Sequence, residues 1–460
     1  MKMDKMRLYH KLPSFLKMVA ATIWGAKLHW WRYGEDTERL VEEILERDYW
    51  SDAQWANYRE KQLEFILHRA ATQVPFYRNY WCLRKQHGDN SSHLLLENWP
   101  LLTKEDVRTN PEAFVADDCN IDCMYKDHTG GTTGTPLTIY KTRKTIQLWY
   151  AMTEARMRRW HGVSYKDRWA IFGGQLVVPL DQQNPPFWVE SKILNQLYLS
   201  TFHISKKNIS HYAKKINQFR PSHIIVYPSS ATEFAKIIIS EGGYILNPKV
   251  IFSNAEPISD QQRALISTAF KCRVVNTYGM GESVYGASEC EFGVMHSWLD
   301  SGVLEIFSDD KNGVRGANSG SFFITGLINS DMPLIRYEIG DRGEGGKQKF
   351  CKCGRTLSTL GNIDGRTSDL IMTPDGRKIF WLNSVFYELP ISQAQIIQDS
   401  FEKVKVKIVP AERFGPSDIA CIRDRLQQRI GEKMKVTIDL VETIEREENG
   451  KIRSVISRLN

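Results

Sequence analysis

Short apolar runs alternate with helical segments through the middle of the chain. The runs have the length and the bounding turns of buried strands and span residues 169–174, 223–230, 249–257 and 273–279. Between them, apolar residues recur at helical spacing, as in 230–243 and 259–270. Strand, helix and strand in this order are typical of parallel βαβ units. The pattern therefore predicts an α/β fold, with a large N-terminal domain built of mostly parallel βαβ sheet layers.

The first part of the chain has a different pattern. Over residues 36–86, apolar side chains recur at helical spacing, and the proline in "VPFYRNYW" is expected to end that helical region. No internal repeat or low-complexity tract interrupts it. Residues 1–90 are therefore predicted to form a mainly helical lead-in to the α/β part.

The pattern changes again after the glycine-rich stretch 343–366, which also contains two cysteines. A hairpin pattern around Asp375-Gly376 precedes strand-like and helical segments up to residue 444. These segments predict a small α+β unit of about 90 residues, an ordinary size for a domain. We therefore predict an N-terminal domain over residues 1–365 and a small, mobile C-terminal domain over residues 366–460.

Composition narrows the class of protein. The chain has 460 residues, 42% of them hydrophobic and 25% charged, which is typical of a globular protein of several domains. Its formal net charge is +7, without a run of five like charges. A nucleic-acid-binding protein more often has a concentrated basic stripe. We therefore expect no nucleic-acid partner, whereas an anionic small molecule or a membrane surface fits the mild excess equally well.

The N-terminal stretch 12–31 is rich in apolar residues and tryptophan but contains Lys17 and Lys27. It is too interrupted by charge for a membrane span and is a poor secretory signal. Two arrangements remain: a basic amphipathic helix lying on a membrane surface, or a helix packed on the protein body, which is the commoner role of amphipathic helices. The eight cysteines are expected to be reduced thiols or metal ligands, which favours a cytoplasmic location, with membrane association as the alternative.

The strongest local motif is "HTGGTTGTP", residues 128–136. Glycines let backbone N–H groups approach a phosphate, and threonine hydroxyls add hydrogen-bond donors. A Walker A loop requires a lysine after the last glycine, and here Gly134 is followed by Thr135. Taken alone, the motif fits a phosphate-binding loop or a polar hairpin tip equally well.

Further motifs follow in order along the chain. They are "SNAEP" at 253–257, "YGMGES" at 278–283, "MPLIRYEIGD" at 332–341, "DGRTSDLI" at 364–371 and "NGKIRSVIS" at 449–457. With this ordered set, the chain resembles the adenylate-forming (acyl-CoA synthetase-like) superfamily. It is most similar to the phenylacetate–coenzyme A ligase branch, including its relatives in capsule and exopolysaccharide gene clusters. The resemblance spans most of the chain, from "QVPFYRNYW" to the last ten residues.

The resemblance implies a role for each matching residue. The β- and γ-phosphates of ATP would be held by Thr129, Gly130, Gly131, Thr132, Thr133 and Gly134. The adenine would be bordered by Asn254, Ala255, Glu256, Pro257, Tyr278 and Gly279. Asp341, assisted by Arg366, would accept hydrogen bonds from the ribose. Glu282 would lie near Mg²⁺, and Lys451 would bridge the substrate carboxylate and the α-phosphate. The predicted catalytic residues are Lys451, Glu282 and Thr133.

The resemblance also implies the reaction. A small carboxylic acid would be activated with ATP and Mg²⁺ as an acyl-adenylate, pyrophosphate would be released, and the acyl group would pass to coenzyme A. Two anions meet in the first step, so Lys451 and Mg²⁺ would neutralise the charge that develops. Transfer to an amine, as in an amide-forming ligase of surface polysaccharide biosynthesis, is the alternative among enzymes. A non-catalytic nucleotide-binding partner protein is the alternative from another class.

Two positions depart from the family pattern. Leu137 follows the proline where the family usually has a lysine, and Ser368 occupies the expected hinge position, with Asp369 next to it. The small domain is expected to rotate about Ser368 or Asp369 between the two half-reactions. Single residues also have ordinary structural interpretations: Asp341 as a turn residue, and Lys451 as a solvated side chain beyond an Asn-Gly turn.

A second set of residues has the composition of a metal site. It consists of Cys290, His296, Cys351 and Cys353. Three thiols and one imidazole suit a tetrahedral zinc ion with no open position, and therefore a structural role. Similar residues recur in the phenylacetate ligase branch, which supports the site. The alternative is free thiols in a turn together with a surface histidine.

The identity of the acid has no motif. Residues near the predicted strand ends that would line its pocket are Trp149, Tyr150, Phe172, Gln175 and Tyr227. Aromatic walls suit an aryl or apolar acyl group, although the same side chains would fit a core. No pattern in the chain indicates an oligomeric state.

Overall fold

The computed structural model describes residues 9–129, 137–175, 177–179, 181–308, 316–346, 350–366, 371–374, 378–379, 382–386, 389–445 and 453–459. The helices within these residues are α1 (Ser14–Arg32), α2 (Thr37–Arg47), α3 (Asp52–Gln73), α4 (Pro75–Gln86), α5 (Lys104–Thr109), α6 (Arg143–Met152), α7 (Ile209–Phe219), α8 (Pro228–Glu241), α9 (Asp260–Phe270) and α10 (Pro416–Ile430). A π-helical segment, Thr153–Arg158, continues α6. Short 3₁₀ helices span Leu96–Asn98, Pro111–Phe114, Ile121–Cys123, Arg159–His161 and Leu382–Phe386.

The strands carry most of the architecture. They are β1 (Tyr125–Thr129), β2 (Leu137–Lys141), β3 (Trp169–Gly173), β4 (Trp188–Ser191), β5 (Gln196–Ser200), β6 (His223–Val226), β7 (Val250–Ser253), β8 (Arg273–Gly279), β9 (Gly286–Glu289), β10 (Met295–Ser297), β11 (Gly302–Phe307), β12 (Ser319–Gly326), β13 (Tyr337–Gly345), β14 (Leu360–Arg366), β15 (Ile371–Met372), β16 (Lys378–Ile379), β17 (Ile391–Ser400), β18 (Lys403–Pro410), β19 (Lys435–Leu440) and β20 (Val455–Ser457).

The central sheet has the strand order β10-β9-β8-β7-β6-β3-β5-β4. Its inner strands β8, β7, β6, β3 and β5 are parallel, and antiparallel strands extend both edges. Ile224 and Ile251 pack on one face against Phe234 of α8 and Phe270 of α9. Strands buried on both faces are continuous apolar runs, as β6 and β7 are. The predicted α/β fold is confirmed.

The helical lead-in lies where its spacing predicts it. Ser51 caps α3, accepting a hydrogen bond from the Gln54 N–H, and α3 ends at Gln73. Pro75 then occupies the first turn of α4. The expectation that the helical region ends at this proline is therefore wrong: proline is tolerated at the first position of a helix, because its missing N–H has no intrahelical partner there. The extended residue before it, Val74, separates the two helices.

Two smaller sheets complete the part of the chain before residue 371. Strands β11 to β14 form an antiparallel sheet in sequence order. Strands β1 and β2 pair antiparallel. Residues 130–136, which connect β1 and β2 and contain most of the "HTGGTTGTP" motif, lie outside the described residues.

The C-terminal part has its own hydrophobic core. Its sheet has the order β19-β18-β17-β20, and β15 pairs antiparallel with β16, in agreement with the predicted hairpin. Ile396 and Val406 of the sheet pack against Ile422 and Leu426 of α10. This is an α+β unit, as predicted. The boundary at residue 366 stays a prediction.

Candidate active site and metal centre

A cavity of about 2370 Å³ lies where the inner strands of the central sheet end. Tyr227, Asn254 and Tyr278 line it, and they lie at the carboxyl ends of β6, β7 and β8. In open parallel sheets, ligands bind at this edge. Ile391 and Arg453 line the cavity from the C-terminal unit. The cavity thus has walls from both parts of the chain.

The loop after β7 forms one wall of the cavity. Its residues Asn254, Ala255, Glu256 and Pro257 all line it, as the family resemblance implies. Ala255 has a φ of 68°, which bends the loop sharply. The Glu256 carboxylate accepts hydrogen bonds from the Ser229 N–H at 2.8 Å and from its hydroxyl at 3.0 Å. Glu256 therefore caps the first turn of α8 and fixes the loop against the sheet.

An aromatic ring and a carboxylate meet on the next wall. The Tyr278 hydroxyl, on β8, donates a hydrogen bond to Asp341 Oδ2, on β13, at 2.8 Å. Asp341 pairs in register with Arg366 of the neighbouring strand β14. The side chain of Arg366 lies outside the described residues. A ring beside a carboxylate at a cavity wall suits a flat base and a ribose with two hydroxyl donors.

Glu282 lies in the turn directly after β8, buried at the edge of the cavity. The Tyr337 hydroxyl donates to its Oε1 at 3.1 Å. Carboxylate oxygens are the ligands that Mg²⁺ prefers in proteins, together with phosphates. We refer to Tyr278, Glu282 and Asp341 as the cavity cluster.

A buried lysine that sequence reasoning missed connects this turn to the glycine-rich motif. Lys141 ends β2, and its Nζ donates to Asp127 Oδ2 at 2.8 Å, to the Gly281 carbonyl and to Ser283 Oγ at 3.1 Å. Strands β1 and β2, on either side of the glycine-rich motif, are thereby fixed to the turn that contains Glu282. A lysine at the end of an apolar strand has no sequence signal that separates it from a solvated one.

Several predicted residues lie wholly or partly outside the described residues. Thr129 is the last residue of β1, described as backbone only. Outside the described residues lie Gly130, Gly131, Thr132, Thr133, Gly134, Ser368, Asp369 and Lys451. Arg453, two residues beyond Lys451, lines the cavity, and its carbonyl accepts a hydrogen bond from Gln395 Nε2 at 2.8 Å.

Four of the five residues predicted to line an acid pocket do line the cavity: Trp149, Tyr150, Gln175 and Tyr227. For Phe172 the alternative, a core position, is the one that the structure shows. Phe172 lies on the opposite face of the sheet, buried against Phe234 with 4.9 Å between ring centroids. Its neighbour Ile171 faces the cavity instead, because successive side chains in a strand point to opposite faces.

Helix α1 adds a wall that the sequence did not indicate. Ala21, Gly25 and Leu28 line the cavity. Gly25 lies against β4, where a Cβ atom would come within 2.1 Å of Ser191 Oγ. The close approach explains why a glycine lies in the middle of this helix.

The second site is the set of Cys290, His296, Cys351 and Cys353, here called the metal cluster. Their ligand atoms all lie within 4.8 Å of one another. The sulfur atoms of Cys290 and Cys351 are 3.7 Å apart, and Cys353 Sγ is 3.4 Å from His296 Nε2. A zinc–sulfur bond of about 2.3 Å gives a tetrahedron with edges of about 3.8 Å. The four side chains therefore fit a tetrahedral ion.

The surroundings of the metal cluster complete the fit. His296 Nδ1 is 3.1 Å from the Leu357 carbonyl, so it donates there and leaves Nε2 to face the sulfur atoms. Burial raises the pKa of the Cys290 thiol to about 12 and lowers the pKa of His296. A bound divalent cation would counteract the raised pKa of the Cys290 thiol, because its ligands are thiolates. All four side chains are described, and none of them lines the cavity.

The remaining cysteines form no disulfide. Cys82, Cys119, Cys123, Cys272 and Cys421 are free thiols, and Cys119 contacts Arg69 and Asp118 rather than Cys123. This agrees with the expectation of reduced thiols.

Known proteins with similar sequence or fold support this description. Residues 371–458 match the CapK C-terminal domain family. The chain is 26% identical to protein CapK of Staphylococcus aureus over 440 residues, 93% of this chain and 92% of that protein. It is 25% identical to the phenylacetate-coenzyme A ligase of Escherichia coli K12 over 329 residues, 68% of this chain and 71% of the ligase. The solved structure of 2-hydroxyisobutyryl-CoA ligase in its postadenylation state has a TM-score of 0.66 at 18% identity, over 89% of this chain and 91% of that one.

The chain thus has the fold of an AMP-forming acyl-CoA ligase and is similar in sequence to protein CapK and to phenylacetate-coenzyme A ligases. The resemblance inferred from the ordered motifs is confirmed. The similarity to protein CapK extends over nearly the whole chain, whereas the similarity to the Escherichia coli ligase covers about two thirds of it.

Proposed function

We propose that the protein activates a small carboxylic acid with ATP and Mg²⁺ as an acyl-adenylate and then transfers the acyl group to coenzyme A. The observation that carries the proposal is the convergence of three predicted groups on one cavity. These are the loop 254–257 after β7, the Tyr278–Asp341 pair and Glu282, and they come from the ends of β7 and β8 and from β13. Strand ends that are far apart in sequence seldom bring such a set together without a ligand.

The nucleotide would lie along the carboxyl ends of β7 and β8. Tyr278 would flank the adenine, with the loop 254–257 on its other side, and Asp341 would accept hydrogen bonds from the ribose hydroxyls. Thr129 and the glycine-rich turn after it would hold the β- and γ-phosphates. Lys141 supports this arrangement, because it fixes the strands of that turn to the loop of Glu282.

In the first half-reaction, a carboxylate oxygen of the acid attacks the α-phosphorus, and the bond to the β-phosphate oxygen breaks, so pyrophosphate leaves. Lys451 would neutralise the two anions as they meet, and Thr133 would orient the phosphates. Glu282 would hold Mg²⁺, which supplies charge neutralisation on the phosphates. The position of Arg453 on the cavity wall supports a path for the preceding Lys451 into the cavity.

In the second half-reaction, the thiolate of coenzyme A attacks the acyl carbon, and the bond to the phosphate oxygen breaks, so AMP leaves. The C-terminal unit contributes cavity walls and is also fixed to α8, where Lys236 Nζ donates to the Ile391 carbonyl at 2.8 Å. A rotation of this unit about Ser368 or Asp369 would exchange its cavity-facing surface between the two steps.

The metal cluster would hold one structural Zn²⁺. Its ligands come from the loop after β9, from β10 and from the segment before β14, so the ion would connect three stretches of chain. Its closed coordination leaves no position for a substrate. The cluster would therefore stabilise the frame of the cavity without taking part in the reaction.

An amine is the second candidate acceptor. The likeness to protein CapK over 93% of the chain favours keeping it, because relatives of that kind suggest the amide-forming ligases of surface polysaccharide biosynthesis. The acceptors are distinguished by forming the adenylate first and then adding coenzyme A or an amino sugar. Rapid release of AMP with one of them identifies the class of acceptor.

The proposal is tested by pyrophosphate release over a panel of aryl, branched and dicarboxylic acids. The expected result is acid-dependent release for at least one acid in the wild type and release at least about 100-fold slower in Lys451→Ala. Binding of ATP without release for any acid supports the non-catalytic nucleotide-binding alternative and contradicts the proposal.

A further inference from the structure

The charge of the chain is concentrated at its N-terminus. Residues 1–32 contain seven lysines and arginines and one acidic residue, so they hold six of the seven excess positive charges of the protein. The other 428 residues are close to neutral in sum. The segment 14–32, which forms α1, contains no aspartate or glutamate.

One face of α1 is fixed to the protein body. Gly25 lies against Ser191, and the Lys192 N–H donates to Thr22 Oγ1 at 3.3 Å, so the helix packs along β4. Ala21 and Leu28 of the same face line the cavity. The packing of this face along β4 therefore agrees with the expectation that the helix lies on the protein body.

The opposite face is apolar and exposed. Phe15 is 62% exposed, Val19 49%, Ile23 67% and Trp30 53%. At the angular spacing of an α-helix these four side chains lie within an arc of about 80°. We call them the exposed strip. Its apolar residues form a continuous row, whereas exposed side chains such as Ile245 lie singly, which is normal for a surface.

Basic groups border the exposed strip. Lys27 lies on the exposed side of α1, next to the Trp24 ring, with 5.1 Å between its Nζ and the ring centroid. The Arg143 guanidinium lies 4.2 Å from the Trp30 ring centroid, and its Nε donates to the Trp30 carbonyl at 2.8 Å. An apolar row bordered by cations and lacking acids is complementary to a surface that offers acyl chains beneath anionic headgroups.

We infer that the exposed strip of α1 lies on an anionic phospholipid bilayer, with its apolar side chains at the level of the acyl chains and its cations among the headgroups. The helix does not cross the bilayer: within the described residues no helix has the length and apolarity for a span. Because the other face of α1 lines the cavity, this wall of the cavity would lie about one helix diameter from the membrane surface. This inference does not depend on the proposed reaction.

The test is co-sedimentation of the full-length protein with vesicles. One set contains phosphatidylcholine and phosphatidylglycerol, the other phosphatidylcholine alone. We expect binding to the anionic vesicles that weakens as salt is raised, and at least about tenfold weaker binding to the neutral ones. The variant Val19→Glu/Ile23→Glu should lose at least about tenfold in affinity, because two charges would enter the apolar layer.

The control is Ile245→Glu, which places the same charge at a residue that is 64% exposed and far along the chain from α1. It should bind vesicles like the wild type. All three proteins, the wild type and the two variants, should unfold at the same temperature, since the substituted side chains are exposed. Absence of binding to anionic vesicles, or equal binding by the α1 variant, overturns the inference. It is also overturned if the α1 variant only dissociates a dimer seen by light scattering, because the strip would then be covered by a second copy.

Discussion

The cavity cluster includes Tyr278 of β8, and the metal cluster includes Cys290, which directly follows β9. The side chains of these two neighbouring clusters have different surroundings. In the cavity cluster, Tyr278 donates to Asp341 and Tyr337 donates to Glu282, and both carboxylates border an open cavity of about 2370 Å³. In the metal cluster, the four ligand atoms face one another within 4.8 Å and none borders that cavity. The first arrangement suits a ligand that can exchange, and the second suits an enclosed metal ion.

The difference separates two roles that sequence motifs alone do not distinguish. Both clusters combine ionisable residues from distant parts of the chain, and both lie near the end of the central sheet. Only the cavity cluster presents oxygen atoms toward a space large enough for a nucleotide and an acid. Changes in the cavity cluster should therefore alter catalysis and nucleotide affinity, and changes in the metal cluster should alter stability.

The largest effect is expected from Lys451→Ala. Losing the cation where two anions meet should lower the rate of adenylate formation roughly 100- to 1000-fold, in the range seen for single electrostatic groups in active sites. The measurement is acid-dependent pyrophosphate release together with the ATP dissociation constant, which should change little. Lys435→Ala, at an exposed position on β19, is the control and should behave like the wild type. An equal loss of rate and ATP affinity would contradict the assigned role.

The next effect concerns the nucleotide. Asp341→Ala should weaken ATP binding roughly 10- to 100-fold, because hydrogen bonds to a charged group contribute about 1.5–3 kcal/mol. Equilibrium binding of ATP measures this, and the unfolding temperature should stay close to that of the wild type. Asp439→Ala, which removes an ion pair with Lys405 in the C-terminal sheet, is the matched control. Unchanged ATP affinity in Asp341→Ala would remove Asp341 from the site.

The metal cluster should respond in the opposite way. Cys353→Ser is expected to lose about one zinc per chain by elemental analysis and to lower the unfolding temperature by several degrees, because a structural ion contributes directly to folding. ATP affinity measured below the unfolding transition should be retained. Cys123→Ser, at an exposed free thiol, is the control. A wild-type protein purified without zinc, and with the same unfolding temperature after chelation, would contradict the structural assignment.

The smallest effect is expected at Tyr278, where two variants distinguish the contribution of the ring from that of the hydroxyl. Tyr278→Phe removes only the hydrogen bond to Asp341 and keeps an aromatic wall, so ATP affinity should fall roughly 2- to 10-fold, the range of a single hydrogen bond. Tyr278→Ala should have a larger effect, since it also removes the ring. If both variants bind ATP equally well, the ring does not border the nucleotide.

The sequence predicted the parts of this molecule that depend on local pattern. Continuous apolar runs marked β6 and β7 because both faces of these strands are buried. The ordered motifs indicated residues such as Asn254 and Asp341, which the fold brings to one cavity. Cys290 and Cys353 also meet as expected from their chemistry.

What sequence reasoning missed depends on tertiary packing. In a strand buried on both faces, alternation gives no sign of which side chain faces the cavity, so the sequence does not decide between a pocket wall and a core position for Phe172. The buried Lys141 side chain donates to three acceptors that come from two other segments, and nothing near Lys141 in the sequence indicates these acceptors. The cavity-facing role of α1 likewise arises only from where the helix packs on β4.

The most direct test of the central claim follows one oxygen atom. An acid that stimulates pyrophosphate release is labelled with oxygen-18 in its carboxylate and incubated with ATP, Mg²⁺ and the acceptor, and the AMP is analysed by mass spectrometry. Attack of the carboxylate on the α-phosphorus predicts AMP that carries one labelled oxygen. Unlabelled AMP, or ADP with the label in inorganic phosphate, would contradict the formation of an acyl-adenylate in this cavity.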